Sequence, residues 1–289
     1  MAFSVQVGLL LALATAFTSI VGFLYKQRGA VESPAVEWRR PIRTSLALFR
    51  SRWYALGMAI AMGSWALHVG ALALAPISLV QSVIAGGLAM LTVIADRLFG
   101  LEVTRREWLG VCLAALGLAF LAATLSGAGR EAHSDYGAST LIAYVGCAAA
   151  LATIVALLAR GSAYAGVGYG AAAGLLWAAS DTSIKALSGR FDDGALAVLI
   201  HPLAAVIALA SLVGLVVSAR SLQIGKAVAV IAVTSVAANV VTIAAGPIVF
   251  GEPLPEDAAG LVLRVLAFAL VICAAALTPA PVRAAEARG

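Results

Sequence analysis

The chain has 289 residues, of which 62% are hydrophobic and only 11% charged, against about 25% charged in an ordinary soluble domain. No aqueous core can hide that much apolar surface, so the solvent must be lipid and the class an all-α, polytopic membrane bundle. The apolar runs are too long for the alternating strands of an outer-membrane barrel, and the net charge of +5 sits in short connections, where membrane orientation explains it better than nucleic acid does.

Runs of about 20 apolar residues predict nine spans, at roughly 4–25, 53–74, 77–98, 107–125, 139–159, 164–187, 195–218, 226–250 and 259–278. The opening stretch "MAFSVQVGLLLALATAFTSIVGFLYKQRGA" has no basic residue before its apolar run and carries Lys26 and Arg28 after it. It therefore reads as a retained first helix with its N-terminus outside, not as a cleavable signal. The following connection holds "RRPIRTSLALFRSRW", whose Ile42, Leu46, Phe49 and Trp53 recur at helical spacing, as in an interfacial helix resting on anionic headgroups. With this orientation fifteen of the nineteen Lys and Arg residues face the cytoplasm, leaving Arg130, Lys185, Arg190 and Arg264 on the other side. That bias predicts a cell inner (plasma) membrane protein with a cytoplasmic C-terminus. Cys112, Cys147 and Cys273 lie inside apolar runs and are expected to act as small buried hydrophobes. The tail "TPAPVRAAEARG" reads as a disordered end of chain.

An internal repeat organises these spans. "RLFGLEVTRREWLGVCLAALGLAF" from 97 matches "IVFGEPLPEDAAGLVLRVLAFAL" from 248: each has a helix ending in Phe-Gly and then Glu, a short polar turn, and a helix opening near a glycine. The helices that lead each half end alike, in "ATAFTSIVGFLYK" at Lys26 and "AAGLLWAASDTSIK" at Lys185. The turns differ in charge, Thr-Arg-Arg-Glu against Pro-Glu-Asp, as equivalent turns on opposite membrane faces should. The expected division is a first repeat over 1–126, a linker and fifth helix over 127–163, an inverted second repeat over 164–279, and a tail over 280–289. Inverted repeats are the signature of alternating-access transporters, with the solute held near the midplane.

With "P-x-S-L-V-Q" from Pro76, the Phe-Gly-(Leu)-Glu ending, "T-R-R-E-W-L-G" and the glycine-rich helix after it, the chain resembles the drug/metabolite transporter superfamily of EamA type. The nine-helix count and "SIVGFLYKQRG" at the end of the first helix are most similar to its NIPA-like magnesium-transporter branch. The resemblance covers almost the whole chain and implies a bundle around a central cavity.

Polar side chains inside the spans are the candidates for function, because each is costly there. His68, Gln81, Asp181 and His201 fall in the outer half of four different helices, which predicts one shared vestibule, with Asn239 deeper. Asp181 and Lys185 stand four residues apart on one helix face and can pair. If Lys185 reaches outward instead, Asp181 is left uncompensated and becomes a candidate for proton binding. Gly166, Gly170 and Gly174 recur every fourth residue, a packing or gating face.

Neither a His-Glu-x-x-His nor a Gly-x-Ser-x-Gly motif is present, so an embedded enzyme is disfavoured and no cofactor is expected. The expected function is secondary transport of a small organic metabolite or drug-like solute, coupled to protons. The alternatives are a NIPA-like transporter of Mg²⁺ or another divalent cation, with Asp181 as the metal ligand, and a non-transporting partner subunit. Mg²⁺ recruits carboxylates free of basic neighbours, and Lys185 stands one turn from Asp181. The expected partners are the lipid bilayer and a small solute or cation, with a homodimer left open and nucleic acid excluded. Cysteines placed singly at Thr44 and Gly127 in a Cys-free background should label from opposite sides of intact cells; labelling of both from outside would refute nine spans.

Overall fold

A computed structural model describes residues 3–37, 39–86, 89–100, 104–123, 134–253, 257–263, 266, 267 and 270. The chain is all-α. Its helices are α1 (Phe3–Val31), α2 (Pro41–Ala47), α3 (Arg52–Leu74), α4 (Ile77–Gly86), α5 (Ala89–Phe99), α6 (Arg105–Ala123), α7 (Ala138–Ala159), α8 (Ala165–Ser188), α9 (Ala195–Ile200), α10 (Pro202–Ile224) and α11 (Ala227–Val249). A further helix has begun by residue 258. Among the described residues five helices are long and apolar enough to cross a bilayer: α1, α3, α7, α10 and α11. The chain is therefore a multi-pass helical membrane protein. Gly127, the C-terminal tail and Cys273 lie outside the described residues.

Several expectations change. The run expected over 195–218 is divided into α9 and α10 at His201. Pro202 sits in the first turn of α10 and His201 is the N-cap, with Nδ1 accepting from the Leu203 amide at 3.2 Å; proline has no amide to continue a helix but suits the start of one. Cys112 and Cys147 are exposed, not buried, because the outward faces of these helices meet lipid and an apolar thiol costs nothing there. Lys26, expected as a cytoplasmic flank, is buried at 5% exposure, because α1 runs on for 29 residues to Val31. The segment expected to be interfacial is α2 followed by a 3₁₀ turn over Leu48–Arg50; Leu46 and Phe49 are exposed while Leu48 is buried in the core.

Small residues set the helix spacing. In the antiparallel α1–α3 pair, a Cβ at Gly8 would lie 2.9 Å from the Ala75 side chain, one at Gly22 would lie 3.2 Å from the Gly57 carbonyl, and Gly29 lies against Tyr54. On α8 the three spaced glycines meet α11 and the turn before it: Gly166 faces Gly225, Gly170 faces Thr234 and Gly174 backs onto the Thr234 carbonyl. Such faces let backbones approach where no hydrophobic effect drives helices together. The packing role of Gly166, Gly170 and Gly174 follows directly.

The tightest constraint is at the turn between α3 and α4, which is only Ala75 and Pro76 long. The last carbonyls of α3 and the first amides of α4 have no partners within their own helices, and the turn is buried, so solvent supplies none. Lys185 of α8, fully buried, donates from Nζ to the Leu72 carbonyl at 2.8 Å and the Ala75 carbonyl at 2.9 Å. Glu252, also buried, accepts from the Ser78 amide at 3.4 Å and from the Ser78 hydroxyl. A cation thus sits at the negative end of one helix and an anion at the positive end of the next. Burial raises the Glu252 carboxyl above its usual range, and the Ser78 hydrogen bonds and the Lys185 charge offset only part of that rise. Gly246 leaves the room that Glu252 occupies. The Asp181–Lys185 pair that the spacing allows does not form, because these carbonyls hold the ammonium.

The turn between α10 and α11 is also two residues long, Gly225 and Lys226. Gly225 and Ala75 are both extended and both donate back to the carbonyl four residues earlier, Ser221 and Ala71. Gly100 and Gly251, each following the Phe of its Phe-Gly pair, take left-handed φ values of 59° and 63°, which glycine adopts without strain.

Replacing Lys185 by Met should cost about 3–5 kcal/mol, since it orphans two carbonyls and the Glu252 charge. Thermal unfolding in detergent should report this, and Lys185→Met combined with Glu252→Gln should recover part of the loss.

Candidate functional site

A cavity of about 740 Å³ lies between α1, α3, α4, α8, α10 and α11. It is largely apolar, walled by residues such as Met58, Trp65, Trp177 and Leu212. Its polar groups are few and specific.

One end holds His68, Gln81 and Asp181, brought together from α3, α4 and α8. His68 Nε2 lies 3.1 Å from Asp181 Oδ1. Gln81 Nε2 donates to Asp181 Oδ2 at 3.2 Å and lies 3.4 Å from His68 Nε2. An ionised carboxylate only accepts, so a hydrogen on His68 Nε2 points at Asp181, and both Asp181 oxygens are held. His68 Nδ1 is buried with no hydrogen-bond partner. Asp181 keeps 17% of its side chain exposed and lines the cavity. The group can bind a cation or a hydrogen-bond donor through Asp181, and it can hold one proton between carboxylate and imidazole.

The middle of the wall is mostly self-satisfied. Thr15 and Ser19 donate back to α1 carbonyls, Ser64 reaches across to the Thr15 carbonyl, Ser180 pairs with Ser211, and Asn239 Nδ2 donates to the Ser235 carbonyl at 2.8 Å. Asn239 keeps its place on the cavity wall.

The far end is aromatic and cationic. Phe23 and Trp177 pack with ring centroids 5.2 Å apart. The Lys26 ammonium lies 4.1 Å over the Phe23 ring and 5.8 Å from that of Trp177. Close approach of Gly22 and Gly57 seats Lys26 here, since any side chain at Gly57 would collide with its backbone and stem.

The shared vestibule therefore forms from three of its four expected members. His201 is taken up as the α10 N-cap and is not on the wall; Lys185 is turned away to the α3–α4 connection. Lys26, Trp177 and Glu252 were missed as site or anchor residues. Lys26 was legible as the repeat counterpart of Lys185, and Glu252 as part of the repeated Phe-Gly-Glu ending. Gln223 was also missed. From the end of α10 it accepts from the Val36 amide and donates to the Ala30 and Pro34 carbonyls, pinning the connection that follows α1. No signal in the chain marked it.

Among the described residues no three His, Cys, Asp or Glu side chains gather as a metal site. Comparison with protein-family models, curated proteins and solved structures finds no match, so the chemistry of the cavity carries the functional reading.

Gln81→Leu keeps the bulk of the side chain but removes the donor to Asp181. Hydrogen bonds to charged groups are worth about 1.5–3 kcal/mol, so a loss of that order is expected in detergent thermal unfolding. An unchanged midpoint would mean that the amide does not hold the carboxylate.

Proposed function

We propose that the protein is a secondary transporter of the EamA type that carries a small organic solute by alternating access, with proton coupling through His68 and Asp181. The observation that carries this reading is the cavity itself: an apolar chamber within a lipid-embedded bundle, with a carboxylate, an imidazole and an amide converging at one end. Solute sites of this kind are mostly apolar with a few placed polar groups, and a non-transporting subunit has no need of one. In this reading the chain crosses the membrane nine times from an outside N-terminus, as two inverted four-helix repeats joined by α7. The matched two-residue turns and the paired left-handed glycines at Gly100 and Gly251 support that symmetry.

The divalent-cation alternative gains one point and lacks another. Lys185 no longer opposes charge at Asp181, since its ammonium is bound elsewhere. Yet Asp181 is a single carboxylate already held by His68 and Gln81, whereas Mg²⁺ seeks an octahedral oxygen shell. The organic solute remains the better fit.

Reconstituted into proteoliposomes, the protein should move solute under an imposed proton gradient, and Asp181→Asn should bring that flux to background while the variant stays folded. Saturable Mg²⁺ flux lost in Asp181→Asn would replace this reading with the cation one.

A further inference from the structure

Lys26 and Lys185 occupy matching places at the ends of the helices that lead the two halves, yet they meet different fates. The Lys185 ammonium is consumed by two carbonyls. That of Lys26 has neither a carboxylate nor a hydrogen-bond acceptor as partner among the described residues; only the two ring faces attend it. It is 5% exposed and lines the cavity. Buried charges are normally paired, and cation–π contacts offset the desolvation of an ammonium only in part. A positive group buried against a solute cavity with its donors unspent is a binding site for an anion.

From this geometry we infer that the Lys26 end of the cavity binds the carboxylate of an organic acid whose apolar or aromatic body lies along the cavity wall. The inference rests on the reading of the cavity as a solute site and adds the charge of the solute. Inorganic anions fit poorly, because the Phe23 and Trp177 rings that attend Lys26 offer no hydrogen bonds to a strongly hydrated ion. A carboxylate attached to a ring satisfies both the ammonium and the apolar wall. Asp181 would repel that carboxylate, but it lies at the opposite end: Gly57, against Lys26, and His68, against Asp181, are separated on α3 by roughly 16 Å at 1.5 Å rise per residue.

The test is calorimetric titration of the detergent-purified full chain with benzoate, phenylacetate and indole-3-acetate, each beside its neutral amide and the corresponding amine. The acids should bind at least about tenfold more tightly than their amides, as expected for a charge-assisted contact, and Lys26→Met should abolish that preference, so that acid and amide bind alike. The ratio of acid to amide in the unaltered protein decides the matter even if Lys26→Met does not fold. Equal binding of acid and amide, or an acid preference that survives in folded Lys26→Met, would overturn the anion site while leaving the solute cavity standing. If acids, amides and amines all fail to bind, the cavity reading fails and this inference with it.

Discussion

A helix end buried away from solvent must find its hydrogen bonds within the protein, and the buried two-residue turn between α3 and α4 makes that demand at two helix ends at once. Lys185 and Glu252 meet it from outside the first half: one comes from α8 and the other follows α11. The turn positions His68 on α3 and Gln81 on α4, six residues before Leu74 and four after Ile77 respectively, so that both reach Asp181. Without the buried lysine and glutamate, the α3 carbonyls and α4 amides would drive the turn open. The polar end of the cavity would lose its geometry along with it.

The same arrangement explains why Asp181 is available at all. An acid and a base four residues apart on a helix ordinarily neutralise each other. Here backbone carbonyls, which cannot titrate, hold the base, and the acid is left to an imidazole and an amide. A structural bond at one residue thus frees a chemical group one turn away. Buried ionic groups are expensive unless every member is satisfied, and of Lys185, Glu252, His68 and Asp181 it is Asp181 that keeps the most accessible surface.

Much of the fold was legible in the chain, because apolar run length and the scarcity of charge report directly on lipid burial. α1, α3, α7, α8 and α11 lie where the runs placed them. The division at His201 was written in Pro202, but the apolar run on both sides hid it. The convergence of His68, Gln81 and Asp181 followed from their estimated depths, since costly side chains at one level of a bundle tend to share a space. What could not be read was which acceptor each charge would choose. Lys185 chose carbonyls over Asp181, and Lys26 was drawn inside by Gly22 and Gly57; both outcomes depend on helix contacts between distant residues. Local spacing is blind to such contacts. The inward-facing lysine shows the limit most clearly, since its flanking sequence reads as an ordinary interfacial anchor.

Along the wall between the two charged ends, most hydroxyl and amide hydrogens are already spent on the protein's own acceptors, as at Thr15, Ser64 and Asn239. The cavity is therefore polarised like a ruler, marked at its ends and nearly blank between. Shape in the middle is read by steric fit against the apolar wall. A molecule that grips both ends at once must be extended, while a shorter one must give up one mark to hold the other. Discrimination among solutes then falls on length and on the order of charges, with little weight on the pattern of hydrogen-bonding groups between.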